Sequence, residues 1–236
     1  MSVRGFSAVE ALVALLLGGG ILISALGLFS AQKRSAERLL AQAEGLDARR
    51  MARTILGEEL RRGVEGRDWS VSGGDSVRLR VFRGLAFLCP SGRSDRVLAR
   101  YQGSRLPNAG KDSVLVLGDD GRWRAADLIA RAPTPLTCPQ APSEAVELWV
   151  VDPPVPGLGV ARIFETGSYH MSDDAFRYRR GRGGRQPLTG EVFVSGGSHM
   201  GVGPAGGVTL VLTTRMPGPD GPGGSLTLWP REHVPE

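Results

Sequence analysis

Few cysteines, histidines and aromatic residues are present in this sequence, and their scarcity argues against several kinds of site. The 236 residues include two cysteines, Cys89 and Cys138, and three histidines, and aromatic residues make up 6%. Neither cysteine has a CxxC or CxxH neighbour that would complete a tetrahedral zinc set. The histidines (His170, His199 and His233) are far apart, and none stands in an HExxH motif. The sequence therefore predicts no metal site.

Motifs for nucleotide binding and nucleophilic catalysis are missing as well. Residues 201–206 match GxGxxG, but a strand-like run at 208–213 follows where a dinucleotide site needs a helix N-terminus. There is no GxSxG elbow, so the serines beside His199 indicate loop composition. The aspartate pairs at 119–120 and 173–174 lack the ligand spacing of a calcium loop and predict turns. We therefore predict a protein that is not an enzyme and that binds no cofactor.

Glycine and proline, by contrast, are abundant, with 34 and 16 residues. This composition favours a loop-rich β domain over a helical bundle. The net charge of +5, supplied almost entirely by arginine, permits contact with anionic partners without establishing it.

Both cysteines lie beyond the apolar N-terminal segment. A lone pair in an exported domain is more often bonded, whereas a cytosolic pair is usually reduced. We expect a disulfide between Cys89 and Cys138, which would stabilise the domain by roughly 4 kcal/mol by restricting the unfolded chain.

An uncharged apolar run at residues 11–29 is close to the ~20 residues that span a bilayer as a helix. A secretory signal would have a more basic leader, a shorter apolar core and a small-x-small cleavage site. Here the run continues into a segment rich in helix-forming residues. Apolar residues recur there at helical spacing, with a phase slip between two sets: Leu39, Ala43 and Leu46, then Ala52, Ile55, Leu56 and Leu60. With Gly63 as a stop, we predict one helix from Phe6 to Arg62, roughly 85 Å long.

The head of this helix contains a carboxylate, Glu10, inside a membrane-length apolar stretch. The segment Gly5-Phe6-Ser7-Ala8-Val9-Glu10, with the apolar run and amphipathic extension behind it, resembles the class III signal of type IV pilins and type II secretion pseudopilins. The resemblance implies cleavage by prepilin peptidase after Gly5, N-methylation of Phe6 and a role for Glu10 in assembly. The alternative is an ordinary signal anchor that happens to contain Glu10. The implied parts are a leader (1–5), a transmembrane and assembly helix (6–30), an amphipathic extension (31–63) and a periplasmic β-rich domain (64–236).

The charge of Glu10 is physically consistent with that resemblance. An intramembrane charge costs several kcal/mol unless it is paired or neutralised. Cleavage after Gly5 would create a positive amine on Phe6, and in the family the glutamate of one subunit is thought to meet the amine of a neighbour. Glu10 would then set the register of a helical stack.

Two features of the segment depart from the simplest pattern. Basic residues are denser after the apolar run (Lys33, Arg34 and Arg38) than before it (Arg4), which by the positive-inside rule favours the opposite orientation. The processing motif nevertheless places the N-terminus in the cytoplasm. The triple glycine at 18–20 is a weak helix former. It has two interpretations, a close-packing helix face or a section that unwinds within a filament.

Beyond Gly63 the pattern changes to short alternating runs separated by glycine, proline, serine and aspartate. We predict an α+β fold, a long N-terminal helix followed by an antiparallel β-rich domain. The seven predicted strands are 77–82, 112–118, 145–151, 161–166, 191–195, 207–214 and 225–229. Residues 216–224 predict a turn or hairpin loop.

The size of the β domain indicates which members of the pilin and pseudopilin family the chain resembles most. A long helix and a large β domain resemble minor pilins of the PilW type and pseudopilins of the GspJ type. The first hypothesis is a minor pilin that primes or caps a type IV pilus for motility, adhesion or DNA uptake. Its partners would be other minor pilins, the major pilin, prepilin peptidase, the inner-membrane assembly platform and a tip adhesin. The second is a J-type pseudopilin of type II secretion, and a third, of another class, is a membrane-anchored enzyme or binding module. The first two imply a single pass through a bacterial inner membrane, with the C-terminal domain in the periplasm before incorporation into a pilus or pseudopilus.

An arginine-rich stretch is the sharpest feature outside the helix. It carries five arginines in nine residues with one tyrosine: Arg177, Tyr178, Arg179, Arg180, Arg182 and Arg185. Such a loop could take phosphates while the tyrosine stacks on a base, which would suit DNA capture. A solvated loop, or a patch that docks on an acidic neighbour, is the more ordinary interpretation.

Overall fold

In the computed structural model, the described residues are 8–93, 95–139, 144–155, 157–203, 207–218 and 221–228. Within these ranges one α-helix is followed by twelve β-strands, with a short 3₁₀ turn at Ser195–Gly197 between β9 and β10. The elements are α1 (Ala8–Arg61), β1 (Trp69–Ser72), β2 (Ser76–Pro90), β3 (Arg96–Gly103), β4 (Ser113–Leu117), β5 (Trp123–Pro133), β6 (Glu147–Asp152), β7 (Gly159–Ser172), β8 (Ala175–Arg180), β9 (Arg185–Pro187), β10 (His199–Val202), β11 (Val208–Gly218) and β12 (Gly221–Leu228). The predicted α+β arrangement, a long N-terminal helix followed by antiparallel strands, is confirmed.

The two halves of α1 have different surroundings. From Ala8 to Leu40 every residue is exposed, whereas a stripe at helical spacing is buried in the second half: Gly45, Ala48, Ala52, Leu56, Gly57, Glu59 and Leu60. The second of the two predicted apolar sets is therefore confirmed at Ala52, Leu56 and Leu60. The first set also lies in the helix, as predicted, but Leu39 is 64% exposed, because the β domain reaches the helix only from about Gly45 onward.

Six strands close into an antiparallel barrel. The pairing order is β2-β3-β6-β5-β4-β7, and β7 pairs back to β2. Residues that alternate along these strands point inward and form an apolar cluster that includes Val116, Leu128, Trp149 and Ile163, all at most 1% exposed. Closure leaves these six strands without a free edge along the barrel.

β2 and β7 are longer than the barrel and continue beyond it. Their outer halves pair from Ser76↔His170 to Phe82↔Phe164 and are extended by β1 on one side and by β8 and β9 on the other. The β7–β8 hairpin turns at Asp173 and Asp174, both with positive φ (48° and 55°), as a two-residue hairpin loop requires. The predicted turn at this aspartate pair is confirmed.

A second core joins the helix to this extended sheet and to a separate three-stranded sheet, β10-β11-β12. It contains side chains from all three layers, among them Leu56, Val77, Tyr169, Phe176 and Leu210. Where α1 passes closest to β11, the absence of a side chain on Gly45 matters, because a Cβ there would lie 3.2 Å from Thr214 Cγ2.

Six of the seven predicted strands coincide with strands of the structure, and one does not. Residues 191–195 form no strand, since only Phe193 pairs, as an isolated bridge to Thr214. Asp174 accepts hydrogen bonds from the Ser195 backbone N–H (2.9 Å) and hydroxyl (2.6 Å), which holds the chain at the start of the 3₁₀ turn. The sequence pattern does not predict strands β1, β3, β5, β8, β9 and β10. In β5 (WRAADLIARAP) the reason is composition, since its four alanines, its aspartate and its proline carry little strand propensity.

The predicted disulfide is confirmed. Cys89 at the end of β2 bonds to Cys138, 49 residues further on, with a Cα–Cα distance of 5.7 Å. Both cysteines are buried and pack with Leu98 and Val146. The bridge attaches the segment after β5 to the barrel.

Docking of the helix can be tested by truncating one side chain of the buried stripe. Leu56→Ala should destabilise the domain by about 2–5 kcal/mol, since Leu56 is fully buried between helix and sheets. Urea unfolding of the full chain in non-ionic detergent measures this change. Leu39→Ala, on the exposed half of the same helix, should change stability by at most about 0.5 kcal/mol. Equal losses in the two variants would contradict the docking arrangement.

Candidate functional site

The exposed half of α1 is the most unusual surface of the described chain. From Gly45 the helix is docked, so about 37 residues project beyond the β domain, roughly 55 Å at 1.5 Å per residue. This half contains a segment long and apolar enough to cross a membrane. Its large side chains are open, including Leu15 (76%), Ile23 (73%) and Phe29 (67%). An apolar surface of this length is unstable in water and indicates burial in lipid or against other chains.

Glu10 lies in the first turn of the described helix and is exposed on its surface. Gly5 and Phe6, the residues of the predicted cleavage site, lie outside the described residues. The predicted processing site and assembly residue therefore stay predictions.

The triple glycine lies inside the continuous helix. A Cβ atom added at Gly18, Gly19 or Gly20 would meet no atom within 4 Å. Close packing within the described part of this chain therefore does not account for the missing side chains. Both interpretations of the glycines, packing against another chain and unwinding in a filament, are compatible with this geometry.

The arginine-rich stretch is divided between two faces of the β8–β9 hairpin. Tyr178 points into the protein: its hydroxyl donates to Glu165 Oε1 at 2.9 Å, and its ring lies 5.0 Å from that of Tyr169. Gly167 makes room for it, because a Cβ there would lie 2.4 Å from the Tyr178 hydroxyl. Arg180 also turns inward. Both residues contact Glu165 inside the protein. The Tyr178 ring is therefore not available to stack on a base beside the solvent-facing arginines.

Of the other arginines, Arg177, Arg179 and Arg185 lie on the opposite face, and Arg182 lies in the β8–β9 turn. Arg177 pairs with Asp173 at 3.4 Å. Arg179, Arg182 and Arg185 line an open groove of about 780 Å³, together with Arg78 of β2. Arg78 was not among the predicted site residues, although its position in the alternating stretch VRLRVF of β2 indicates the polar face of a strand.

His170 is buried beside this groove. Its Nε2 lies 2.8 Å from the Ser168 hydroxyl. Burial lowers the pKa of His170, and Arg185, Arg179 and Arg78 lower it further, while Asp75 opposes them. The cations therefore create a positive potential that reaches an adjacent buried side chain.

A buried charge cluster joins the helix, the barrel and the extended sheet. At its centre, Glu165 on β7 is 4% exposed and contacts Arg83, Arg105 and Arg180 at 2.5, 2.9 and 2.5 Å. Arg83 also reaches Glu59 on the helix at 3.3 Å. A register shift between Phe82 and Gly84 makes Arg83 the extra residue of a β-bulge, a device that re-aims a side chain.

Asp112 completes the cluster just before β4. Its carboxylate accepts two hydrogen bonds from Arg105 (2.6 and 2.7 Å), one from Arg180 (2.7 Å) and one from the Asn108 backbone N–H (2.6 Å). Three carboxylates (Glu59, Asp112 and Glu165) thus face three guanidinium groups (Arg83, Arg105 and Arg180). The charges balance, which a set of buried ions requires.

The pKa values of the carboxylates in this cluster are shifted in opposite directions. Burial opposes ionisation of Glu165 and Asp112, but their arginine hydrogen bonds and charges outweigh it, so both pKa values are lowered. For Glu59 burial prevails over the attraction of Arg83 and Arg62, and its pKa is raised. Its Oε2 is also buried without a hydrogen-bond partner among the described residues. Glu59 is therefore the weakest member of the cluster.

Chemically, the cluster is suited to holding elements together. Every guanidinium in it engages a carboxylate, and the tyrosine pKa values are raised by burial and by neighbouring carboxylates (Tyr169 and Tyr178). Within the described ranges, no three His, Cys, Asp or Glu side chains lie together in a group that could hold a metal ion. The arrangement therefore indicates a structural clamp between helix and barrel.

Comparison of the chain with protein-family models, curated proteins and solved structures finds no match.

The clamp can be tested at its centre. Glu165→Gln should cost about 3 kcal/mol at pH 7, the low end of the loss for a broken buried pair, because it leaves three partly exposed guanidinium groups with less negative charge. Glu59→Gln should cost less, since its pKa is already raised by burial. Urea unfolding of both variants measures the difference, and an equal or larger loss for Glu59→Gln would contradict the central role of Glu165.

The cluster also predicts a pH dependence. A carboxylate with a lowered folded pKa contributes stability that is present above its unfolded pKa of about 4 and is lost as the pH falls through the folded value. Glu165 and Asp112 follow this rule, whereas Glu59 opposes it, because its cost is relieved on protonation. Urea unfolding of the wild type should show stability falling below about pH 4, with a weaker fall in Glu165→Gln. Parallel pH profiles would contradict the assignment.

Proposed function

We propose that this chain is a filament subunit of the type IV pilin kind, specifically a minor pilin that primes or caps pilus assembly. The observation that carries the proposal is the helix divided in two, with a docked second half and an exposed, charge-free run at 11–29 that has Glu10 at its head. The run can be buried first in a membrane and then against neighbouring helices. One helix thus serves as anchor and as polymerisation surface.

The carboxylate is the part of this surface that a plain anchor does not need. Placing Glu10 in lipid costs several kcal/mol unless a positive group is close. If the chain is cut after Gly5, the new amine on Phe6 supplies such a group, and the amine of one subunit pairs with Glu10 of the next. The cost of the charge then favours assembly in a single register.

The proposed location follows from the same helix together with the processing motif, which sets its orientation. The N-terminus lies in the cytoplasm, the apolar run crosses the bacterial inner membrane, and the β domain folds in the periplasm, where the Cys89–Cys138 disulfide can form. The partners are prepilin peptidase, the assembly platform, other minor pilins and the major pilin.

Processing is the first test. Mass spectrometry of the N-terminal peptide, from the protein purified out of its own membrane, should find a chain that begins at a methylated Phe6. Gly5→Val should block the cut and leave the protein in the membrane fraction. A wild-type chain that still begins at residue 1 or 2 would overturn the filament proposal and favour a membrane-anchored binding module or enzyme.

Assembly is the second test. Glu10→Ala should leave processing intact and lower the amount of the protein in sheared filaments at least several-fold, because the pairing with the neighbouring amine is lost. Glu37→Ala, on the exposed part of the same helix where Glu37 pairs with Lys33 at 3.8 Å, is the matched control and should incorporate normally. Normal incorporation of Glu10→Ala would remove the register role.

A deletion strain separates the pilus from the secretion machine. Loss of piliation or twitching supports the minor pilin. Intact pili together with blocked release of secreted proteins would instead assign the chain to a type II secretion pseudopilus.

A further inference from the structure

The outer face of the extended sheet carries a row of cations. Arg78 on β2 lies opposite Ser168 on β7, Ser168 opposite Arg179 on β8, and Arg179 opposite Arg185 on β9. Directly opposed residues of antiparallel strands share a face, and the other face holds the core residues Leu79 and Tyr169. Three strand spacings give the row a length of about 14 Å. Arg182, in the β8–β9 turn, extends it.

These arginines differ from those of the buried cluster in lacking acidic partners. Within the described part of the chain, none of Arg78, Arg179, Arg182 and Arg185 lies in an ion pair, and Arg179 Nε is buried without a hydrogen-bond partner. Arg179 and Arg185 also face each other directly, and like charges in that position are destabilising. The groove includes one carboxylate, Asp75, so it keeps a surplus of positive charge.

The other residues that line the groove indicate which anion it takes. They are small or polar: Ser76, Thr166, Gly167, Ser168, His170 and Gly181. The lining has no aliphatic, Phe, Tyr or Trp side chain, and its one imidazole, His170, is buried, although protein interfaces bury an apolar centre and base-stacking sites need exposed aromatic rings. A polar chain of phosphates needs neither of these.

We propose that this groove binds a chain of linked phosphates and that Arg78, Arg179, Arg182 and Arg185 contact successive phosphate groups. The row is longer than one phosphate, so the ligand is a polymer, either the backbone of a nucleic acid or inorganic polyphosphate. Binding is independent of base sequence, because phosphate contacts carry no sequence information, and it involves no stacking on Tyr178, whose ring faces the interior. The groove does not depend on the filament proposal, since it lies on the β domain and involves no residue of α1.

The test uses the full chain in non-ionic detergent and a fluorescent 20-base-pair duplex, with binding followed by anisotropy at several salt concentrations. Four phosphate contacts predict a slope of log K against log salt of about −3.6, hence a loss of affinity of about 150-fold between 50 and 200 mM salt. In the triple variant Arg78→Gln/Arg179→Gln/Arg185→Gln, one phosphate contact remains, so the slope should weaken to about −0.9 and the loss of affinity to about 4-fold. The matched control is Arg122→Gln, an exposed arginine outside the groove without an ion pair among the described residues, and it should keep at least three quarters of the wild-type slope.

Unlabelled competitors identify the source of the phosphates. Displacement of the duplex by inorganic polyphosphate of equal charge supports a site for either polymer, and failure of polyphosphate to displace it assigns the site to nucleic acid. Polyglutamate of equal charge should displace the probe at least 10-fold less well. If it competes as well as polyphosphate, the groove is a docking site for an acidic protein segment and the proposal is wrong.

Melting temperatures show whether a loss of binding in the triple variant comes from misfolding. The triple variant removes facing like charges, so its melting temperature should equal or exceed that of the wild type, and polyphosphate should raise the melting temperature of the wild type only. A triple variant that melts at the wild-type temperature and keeps the wild-type salt slope would overturn the proposal. The proposal is also wrong if Arg122→Gln lowers the slope as much as the triple variant.

Discussion

The contacts of Arg83 with Glu59 and Glu165 determine how the helix packs against the β domain. Glu165 belongs to β7, where the barrel passes into the extended sheet, and Glu59 belongs to the last turns of the helix. A charge buried at this junction is tolerated only when it is paired. The helix end, the barrel and the extended sheet must therefore pack closely enough for Arg83 to contact both glutamates. The bulge in β2 supplies the extra residue that puts Arg83 there.

Fixing the helix at its C-terminal end leaves the other end projecting. The buried stripe begins at Gly45, and no described part of the β domain shields the apolar side chains that precede Leu40. A second attachment holds the helix end, where Arg162 donates to the Arg62 carbonyl at 2.5 Å with its guanidinium 3.3 Å from the centre of the Phe82 ring. Because the projecting half has no contact with the described β domain, it can be buried in a membrane or in a helical stack without refolding of that domain, as the proposed filament subunit requires.

Arginine serves two purposes in this chain, and its neighbours decide which. In the buried cluster each guanidinium meets carboxylates, so the side chains contribute to the cohesion of the fold. On the outer face of the same sheet the guanidinium groups meet serine, threonine and one another, which costs stability in the isolated protein. The alternation of side chains along β8 places Arg180 in the first group and Arg179 in the second, although the two are adjacent in sequence.

Much of the architecture follows from local sequence, because the hydrophobic period is a local property. The length of the apolar run, the change from helical to alternating pattern after Gly63 and the turn at Asp173–Asp174 could all be predicted without coordinates. Closure of the barrel, the pairing of Glu165 with Arg83 and the placement of Arg78 and Arg185 on one face of the sheet could not, since they depend on residues about 80 to 110 positions apart. The sequence by itself determined that one helix is both membrane-length and charged at its head. Only the tertiary structure decided which arginines of the 177–185 stretch turn inward, because that depends on the strand register and on the buried carboxylates they meet.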